Sequence, residues 1–307
     1  MTRQFIAIDW GTSNFRAFLV DAGTGECLDT RRSEAGLKAL STDEFPHYCH
    51  AQIVDWRNAG GGEEAVPVYL AGMVGSRNGW CEAPQLELPV DLDTLVDELM
   101  PAPGLSNAWI VPGVKMVTPD HVDVMRGEEV QAFGALMLAG RDSGACCLPG
   151  THSKWAHLEG GRMQSFTTMM TGELYHAVRF HTLPGQPAIS DAAFDAEAFH
   201  QGVNASGHED GILHALFEAR SRHLYGGLDA PQVASFLSGV LIGGEVRAAL
   251  RQAGQWRDLL LVGSTALNES YRLAMDPLGM PSTSIDSDKA SIAGLQRIDA
   301  IRTVRAH

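Results

Sequence analysis

One pattern occurs twice along this chain and limits what it can fold into. A short apolar strand ends on a Gly-Thr turn, and a second strand, a glycine turn and a third strand follow. In the first copy, Phe5-Ile-Ala-Ile-Asp9 ends at Trp10-Gly11-Thr12-Ser13, resumes as a strand carrying Arg16, turns at Gly23/Gly25 and returns over 27–33. In the second copy, Ala145-Cys-Cys-Leu148 ends at Pro149-Gly150-Thr151-His152-Ser153-Lys154, continues through Trp155 to Leu158, turns at Gly160-Gly161 and returns over 163–167. The loop at Glu34-Ala-Gly36 corresponds to Met170-Thr-Gly-Glu173. An acid-glycine turn alone is a common conformational device. Its recurrence in the same strand pattern predicts two related α/β lobes whose turns face one another across a cleft.

Between the copies, periodicity predicts a helix over 44–56, a buried strand over 66–71, a glycine-rich loop over 72–80, a helix over 91–100, a strand over 108–111 and a helix that starts within Met125-Arg-Gly-Glu-Glu129 and runs through Leu138. After the second copy the pattern is helical over 172–180, 195–204, 209–222 and 230–250. A last strand at 259–262 leads into a helix opening at Gly263-Ser264-Thr265, and 288–298 reads as a small-residue helix for a lobe junction, ending in a frayed tail at 303–307. The expected divisions are 1–125 for the N-terminal lobe, 126–287 for the C-terminal lobe and 288–307 for the junction helix.

The 307 residues are 45% hydrophobic, enough to fill the cores of two lobes. The formal net charge of −14 disfavours nucleic acid and anionic membrane surfaces as partners. An anionic substrate must therefore meet local basic groups and backbone N–H. The opening residues show no signal-peptide pattern, and no uninterrupted apolar run approaches a membrane span, so a soluble, cytoplasmic protein is expected. The five cysteines form no Cys-x-x-Cys pair and read as reduced, buried thiols.

Backbone N–H groups of two such turns can surround a polyphosphate without a positive protein. Asp9, at a strand end, offers the single hard oxygen that Mg²⁺ prefers beside water and phosphate. Arg16 and Lys154 are candidates to neutralise charge on a transferring group. There is no Gly-x-x-x-x-Gly-Lys-Ser/Thr loop and no Gly-x-Gly-x-x-Gly opening a helix, which excludes P-loop and Rossmann readings.

The blocks Ile8-Asp-Trp-Gly-Thr-Ser-Asn-Phe-Arg-Ala17, Ser33-Glu-Ala-Gly36, Ala71-Gly-Met-Val-Gly-Ser76, Val124-Met-Arg-Gly-Glu-Glu129, Pro149-Gly-Thr-His-Ser-Lys-Trp155, Met170-Thr-Gly-Glu-Leu174 and Phe236-Leu-Ser-Gly-Val-Leu-Ile-Gly-Gly-Glu-Val246 run in order along the chain. Together they resemble the 2-dehydro-3-deoxygalactonokinase family of the actin and hexokinase superfamily. The resemblance implies two ribonuclease-H-like lobes with a nucleotide cleft between them. It also implies ATP- and Mg²⁺-dependent phosphorylation of 2-dehydro-3-deoxy-D-galactonate at O6. By the same resemblance Asp9 would hold the metal through water. Gly11, Thr12 and Ser13 would line one side of the triphosphate, and Gly150, Thr151 and His152 the other. Gly263, Ser264 and Thr265 would sit by the adenosine.

Sugar-acid contacts are expected from Glu34, Ala35, Gly36, Gly72, Met73, Ser76, Arg77 and Trp80, with Arg77 pairing the carboxylate and Trp80 walling the sugar chain. The second turn reads Pro-Gly-Thr-His, without the acid that many superfamily kinases place there. Hexokinase-like members use an acid at the start of the preceding helix, which nominates Glu128 as general base, then Glu129, then His152. The competing activities are a phosphohydrolase on the same scaffold, a kinase for the gluconate epimer, and a sugar-acid sensor without turnover. Helix faces within 195–250 are the expected homodimer surface.

Overall fold

The computed structural model describes residues 3–252 and 256–305. Its elements run β1 (Gln4–Trp10), β2 (Phe15–Asp21), β3 (Cys27–Ser33), α1 (Phe45–Ala59), β4 (Val68–Gly72), β5 (Gln85–Glu87), α2 (Leu92–Asp97), β6 (Met100–Pro101), β7 (Ala108–Ile110), β8 (Gly113–Val117), β9 (Val122–Met125) and α3 (Glu128–Leu138). They continue as β10 (Gly144–Leu148), β11 (Ser153–Glu159), β12 (Arg162–Met169), α4 (Thr171–His181), α5 (Ala196–Ala205), α6 (Gly211–Tyr225), α7 (Val233–Leu250), β13 (Leu259–Gly263), α8 (Thr265–Met275), β14 (Ser282–Asp286) and α9 (Ser287–Arg305).

The chain divides into two compact units. The first holds residues up to Gly144, Ala156–Phe166 and the segment from Ile285 onward; the second holds Ala145–Trp155 and Thr167–Ser284. In the first unit a six-stranded sheet has the order β3-β2-β1-β4-β7-β6. The three consecutive strands pair antiparallel, and β4 and β7 follow parallel to β1. The sheet of the second copy repeats the order as β12-β11-β10-β13-β14, with β13 parallel to β10. The α/β, ribonuclease-H-like repeat expected from the sequence is thus the one found.

β1 is buried on both faces, and successive side chains serve different cores. Ile6, Ile8 and Trp10 pack with Phe45, Cys49 and Ile53 of α1, whereas Phe5 and Ala7 pack with Ile292, Leu295 and Ile298 of α9. α9 lies close on α3 because each helix offers a glycine. A Cβ at Gly134 would fall 1.9 Å from Ala290 O, and one at Gly294 would fall 2.3 Å from Val130 O.

That close packing moves the expected boundaries. α3 and α9 both group with the first unit, which extends to Gly144 rather than to residue 125. Three strands escaped the sequence reading as a group: β5, β8 and β9 form a separate small sheet. Each is short, and β9 carries exposed Val122 and Val124, so the inward-outward alternation that marks a half-buried strand is weak. β14 was also missed, and Met100 joins β6 rather than closing a helix. α9 runs on through Arg305, so 303–305 are helical, and residues 306–307 lie outside the described residues.

In the second unit Trp155, Phe199, Ile242, Leu261 and Tyr271 share one core. The segment Ala230–Leu250 is as long and apolar as a membrane span, although polar residues interrupt it, yet 67% of its apolar 18-residue stretch is buried inside the protein. Cys49, Cys146 and Cys147 are buried free thiols as expected, and burial pushes Cys49 up to about 12. Cys27 departs from that expectation: it lies on the outer strand β3 and is exposed.

Candidate active site

In the first unit the β1–β2 register sets Asp9 opposite Arg16. Arg16 Nη2 donates to Asp9 Oδ2 at 2.7 Å, Gln131 Nε2 of α3 at 2.9 Å and Ser291 Oγ of α9 at 3.1 Å. Asp9 is only 7% exposed, and a buried carboxylate needs such partners. All three donors use Oδ2, and among the described residues none donates to Oδ1. Arg16 also donates to Asp288 Oδ1 at 2.6 Å, and Asp288 is held in turn by Arg32. Arg16 is thus engaged in orienting Asp9 rather than presented as an unpaired cation.

The turn after Asp9 closes with Gly11 N on Asn14 O at 2.9 Å. It is backed by the loop that follows β3. Leu37 N donates to Gly11 O at 3.0 Å, Lys38 N to Thr12 O at 3.2 Å, and Trp10 Nε1 to Ala35 O at 2.8 Å. Gly36 is required there: a Cβ would lie 2.4 Å from the Ser13 carbonyl carbon. A cavity of about 390 Å³ adjoins the turn, lined by Thr12, Ser13, Asn14, Glu34, Lys38 and Ala39. Glu34 is exposed at its edge, while Ala35 and Gly36 support the turn from behind.

The end of β4 and the start of α3 meet the same strand end. Gly72 has φ of 98°, and a Cβ there would lie 2.7 Å from Trp10 O; a Cβ at Gly127, φ 105°, would lie 2.7 Å from Gly72 Cα. Only glycine fits both positions. Glu128, the first residue of α3, is half-buried, and its Oε2 accepts from Arg126 N at 3.3 Å. It stands three residues before Gln131, on the same side of the helix as the residue that grips Asp9.

Glu129 is wholly buried, and both its oxygens accept from Gly127 N, at 2.9 and 2.7 Å. Burial, with Glu128 beside it, pushes its carboxyl up to about 8. This geometry makes Glu129 a helix cap. Glu128 is the acid of the pair with solvent access.

In the glycine-rich loop, Met73–Gly75 forms a short 3-10 turn, Met73 and Ser76 are half-buried and Arg77 is exposed. The expectation for Trp80 is corrected. It is 5% exposed, stacks on Phe45 with centroids 6.5 Å apart and donates Nε1 to Pro103 O at 3.0 Å, so its ring belongs to the core rather than to an open loop face.

In the second unit the Gly150-Thr151 turn is backed in the same way. Glu173 N donates to Thr151 O at 2.9 Å, and a Cβ at Gly172 would lie 2.4 Å from Gly150 O. His152 Nε2 pairs with Glu173 Oε2 at 2.7 Å, and both side chains are about half exposed. Lys154 departs from its expected role. It is 5% exposed in β11, and its Nζ donates to Thr168 Oγ1 of β12 at 2.8 Å, so it is built into the sheet.

Ser264 caps α8, accepting from Leu267 N at 3.4 Å, and Gly263 leaves room for Asn268, whose Nδ2 donates to Gly263 O at 3.2 Å. A cavity of about 310 Å³ opens beside Gly150 and Gly172, lined further by Tyr175, Ile242, Leu267 and Tyr271. Its lining is mostly apolar with a few hydroxyls, the character of a small-molecule site.

Sequence reasoning missed Gln131, Ser291 and Lys38. Gln131 carried a readable signal, because it lies one turn after Glu128 on the same helix. Ser291 carried none, since its approach to Asp9 spans 282 positions of sequence.

The family whose profile matches this chain is 2-keto-3-deoxy-galactonokinase, over residues 9–298. The 2-dehydro-3-deoxygalactonokinase of Escherichia coli strain K12 is 38% identical over 299 residues, covering 97% of this chain and 98% of that protein. The crystal structure of a protein assigned as a 2-dehydro-3-deoxygalactonokinase from Sinorhizobium meliloti superposes with a TM-score of 0.87 at 33% identity, over 98% of this chain and 99% of that one. Component A of the (R)-2-hydroxyglutaryl-CoA dehydratase of Acidaminococcus fermentans superposes with a TM-score of 0.56 at 14% identity, over 98% of this chain and 99% of that one, a likeness of fold alone.

Proposed function

The chain belongs to the 2-keto-3-deoxy-galactonokinase family, and on that premise we propose how its residues carry the reaction. It is a sugar-acid kinase that uses ATP to phosphorylate 2-dehydro-3-deoxygalactonate. The acceptor is the terminal hydroxyl, O6, of the D-galactonate epimer. The observation that carries the assignment of roles is the meeting of Asp9 and α3, where Gln131 grips the strand-end acid and Glu128 stands one turn earlier.

Glu128 takes the O6 proton as O6 attacks the γ-phosphorus. The bond from that phosphorus to the bridging oxygen breaks, ADP departs and the proton stays on Glu128 until product release. The N–H groups of Thr12 and Ser13 face the transferring phosphoryl group, with Lys38 as the cation of that cavity.

The residues around Asp9 suit Mg²⁺: one carboxylate, oriented through Oδ2 by three donors, has Oδ1 available for a metal-bound water. The metal would neutralise phosphate charge, as Mg²⁺ does in phosphoryl transfer. Arg77 pairs the substrate carboxylate, and Gly72, Met73 and Ser76 shape the loop beside it. In the second unit Gly150 and Thr151 hold phosphate, and the adjoining cavity takes the adenine against α8, close to Gly263, Ser264 and Thr265.

The test is product identity. Incubation with ATP, Mg²⁺ and the sugar acid should give ADP and one phosphomonoester on the terminal carbon by phosphorus NMR, with turnover abolished by EDTA. A phosphate on another hydroxyl, or equal rates with the gluconate epimer, would overturn the acceptor assignment.

A further inference from the structure

Glu245 has no place in the transfer just described, yet it lies at the centre of the second unit's polar interior. It stands in the latter half of α7 and is 3% exposed. Trp155 Nε1 donates to Oε1 at 2.8 Å and Tyr271 OH donates to Oε2 at 2.8 Å. Thr171 and Ser153 are polar neighbours that favour the charged form of the same carboxyl group, and the Ser153 hydroxyl donates to Met169 O at 3.2 Å. Burial pushes that carboxyl up, and these polar neighbours oppose the push.

Its partners come from three different walls. Ser153 opens β11 directly after the Gly150-Thr151-His152 turn, and Trp155 follows on that strand. Thr171 opens α4 and precedes Gly172, which packs against Gly150 O. Tyr271 stands on α8. Thr171 and Tyr271 also line the cavity beside Gly150.

We infer that Glu245 is a positioning residue for the nucleotide, tying the starts of β11 and α4 and the face of α8 to one point on α7, so that the phosphate turn and the cavity wall keep one geometry. The inference rests on the reading of that cavity as the adenine site.

The chemistry of the donors sets the expected pattern. Trp155 N–H can only donate, while the Tyr271 hydroxyl can turn and accept. Glu245→Gln therefore keeps part of the network, whereas Glu245→Ala leaves buried donors unpaired. Isothermal titration of the intact protein with ATP, and separately with the sugar acid, reads the effect. The ATP dissociation constant should rise about fivefold in Glu245→Gln and about a hundredfold in Glu245→Ala, with sugar-acid affinity within about twofold of the parent.

Ser238→Trp, which fills the cavity, should lose ATP binding while keeping sugar-acid binding. Normal ATP affinity in Glu245→Ala, beside a Ser238→Trp protein that cannot bind ATP, overturns the role of Glu245 alone. Equal weakening of both ligands in Glu245→Ala also overturns it, since that is the mark of a general loss of structure. Normal ATP binding by Ser238→Trp overturns the cavity reading itself.

Discussion

The two Gly-Thr turns share a backbone device and differ in what surrounds it. At each, a glycine from a following segment packs directly on the turn: Gly36 on Ser13 in the first unit and Gly172 on Gly150 in the second. Beside the first turn stands Asp9, held by an arginine, a glutamine and a serine, with Lys38 on the adjoining cavity. The second turn has no acid at its strand end, and the acid beside it, Glu173, is exposed and paired with His152. Its buried carboxylate, Glu245, comes from α7, and its cavity is mostly apolar. A repeated fold thus supplies the same turn backbone twice, and on the proposed assignment the side chains give reaction chemistry to one copy and nucleotide holding to the other.

The sharpest way to break that contrast is Glu128→Gln. Turnover should fall roughly 10²- to 10⁴-fold with ATP affinity unchanged, measured by steady-state kinetics beside titration. A matching loss of ATP affinity would erase the distinction between the units. Asp9→Asn should cost about 10²-fold in turnover, since on the proposed reading it weakens the carboxylate that would hold a metal-bound water, and raised Mg²⁺ should recover part of it. Gln131→Ala acts one step further away and should raise the Mg²⁺ requirement about tenfold in a metal titration.

A separate expected effect is on stability. Glu129 holds its proton in the folded protein up to about 8, while the unfolded chain releases it near the ordinary glutamate value of 4.5. The folded state therefore binds more protons between these values, and stability falls as pH rises through that window. Melting temperatures should show Glu129→Gln gaining on the parent from pH 4.5 to 8 and no further change above that.

Much of this was legible in the sequence because it is local. The strand-turn-strand repeat, the acid at the end of β1 and the acids opening α3 each declare themselves within a few residues, and the repeat recurs in the order of the two sheets. What escaped depends on distant pairing. Asp9 meets Ser291 across almost the whole chain, and α9 joins the first unit through the fit of Gly294 on Val130. Trp80 shows the opposite failure. An aromatic residue in a glycine-rich loop reads as a ligand wall, but its partners, Phe45 and Pro103, were invisible without the tertiary fold. Lys154 likewise follows the Gly150-Thr151 turn in sequence and is drawn into the sheet by Thr168.

The most direct measurement is nucleotide turnover by the wild-type protein with and without 2-dehydro-3-deoxygalactonate, following ADP, free phosphate and phosphorylated sugar acid together. ADP and sugar phosphate should appear in equal amounts, and free phosphate should stay at background whether or not the sugar acid is present. Release of phosphate from ATP at the same rate in both conditions would contradict a kinase and identify a phosphohydrolase.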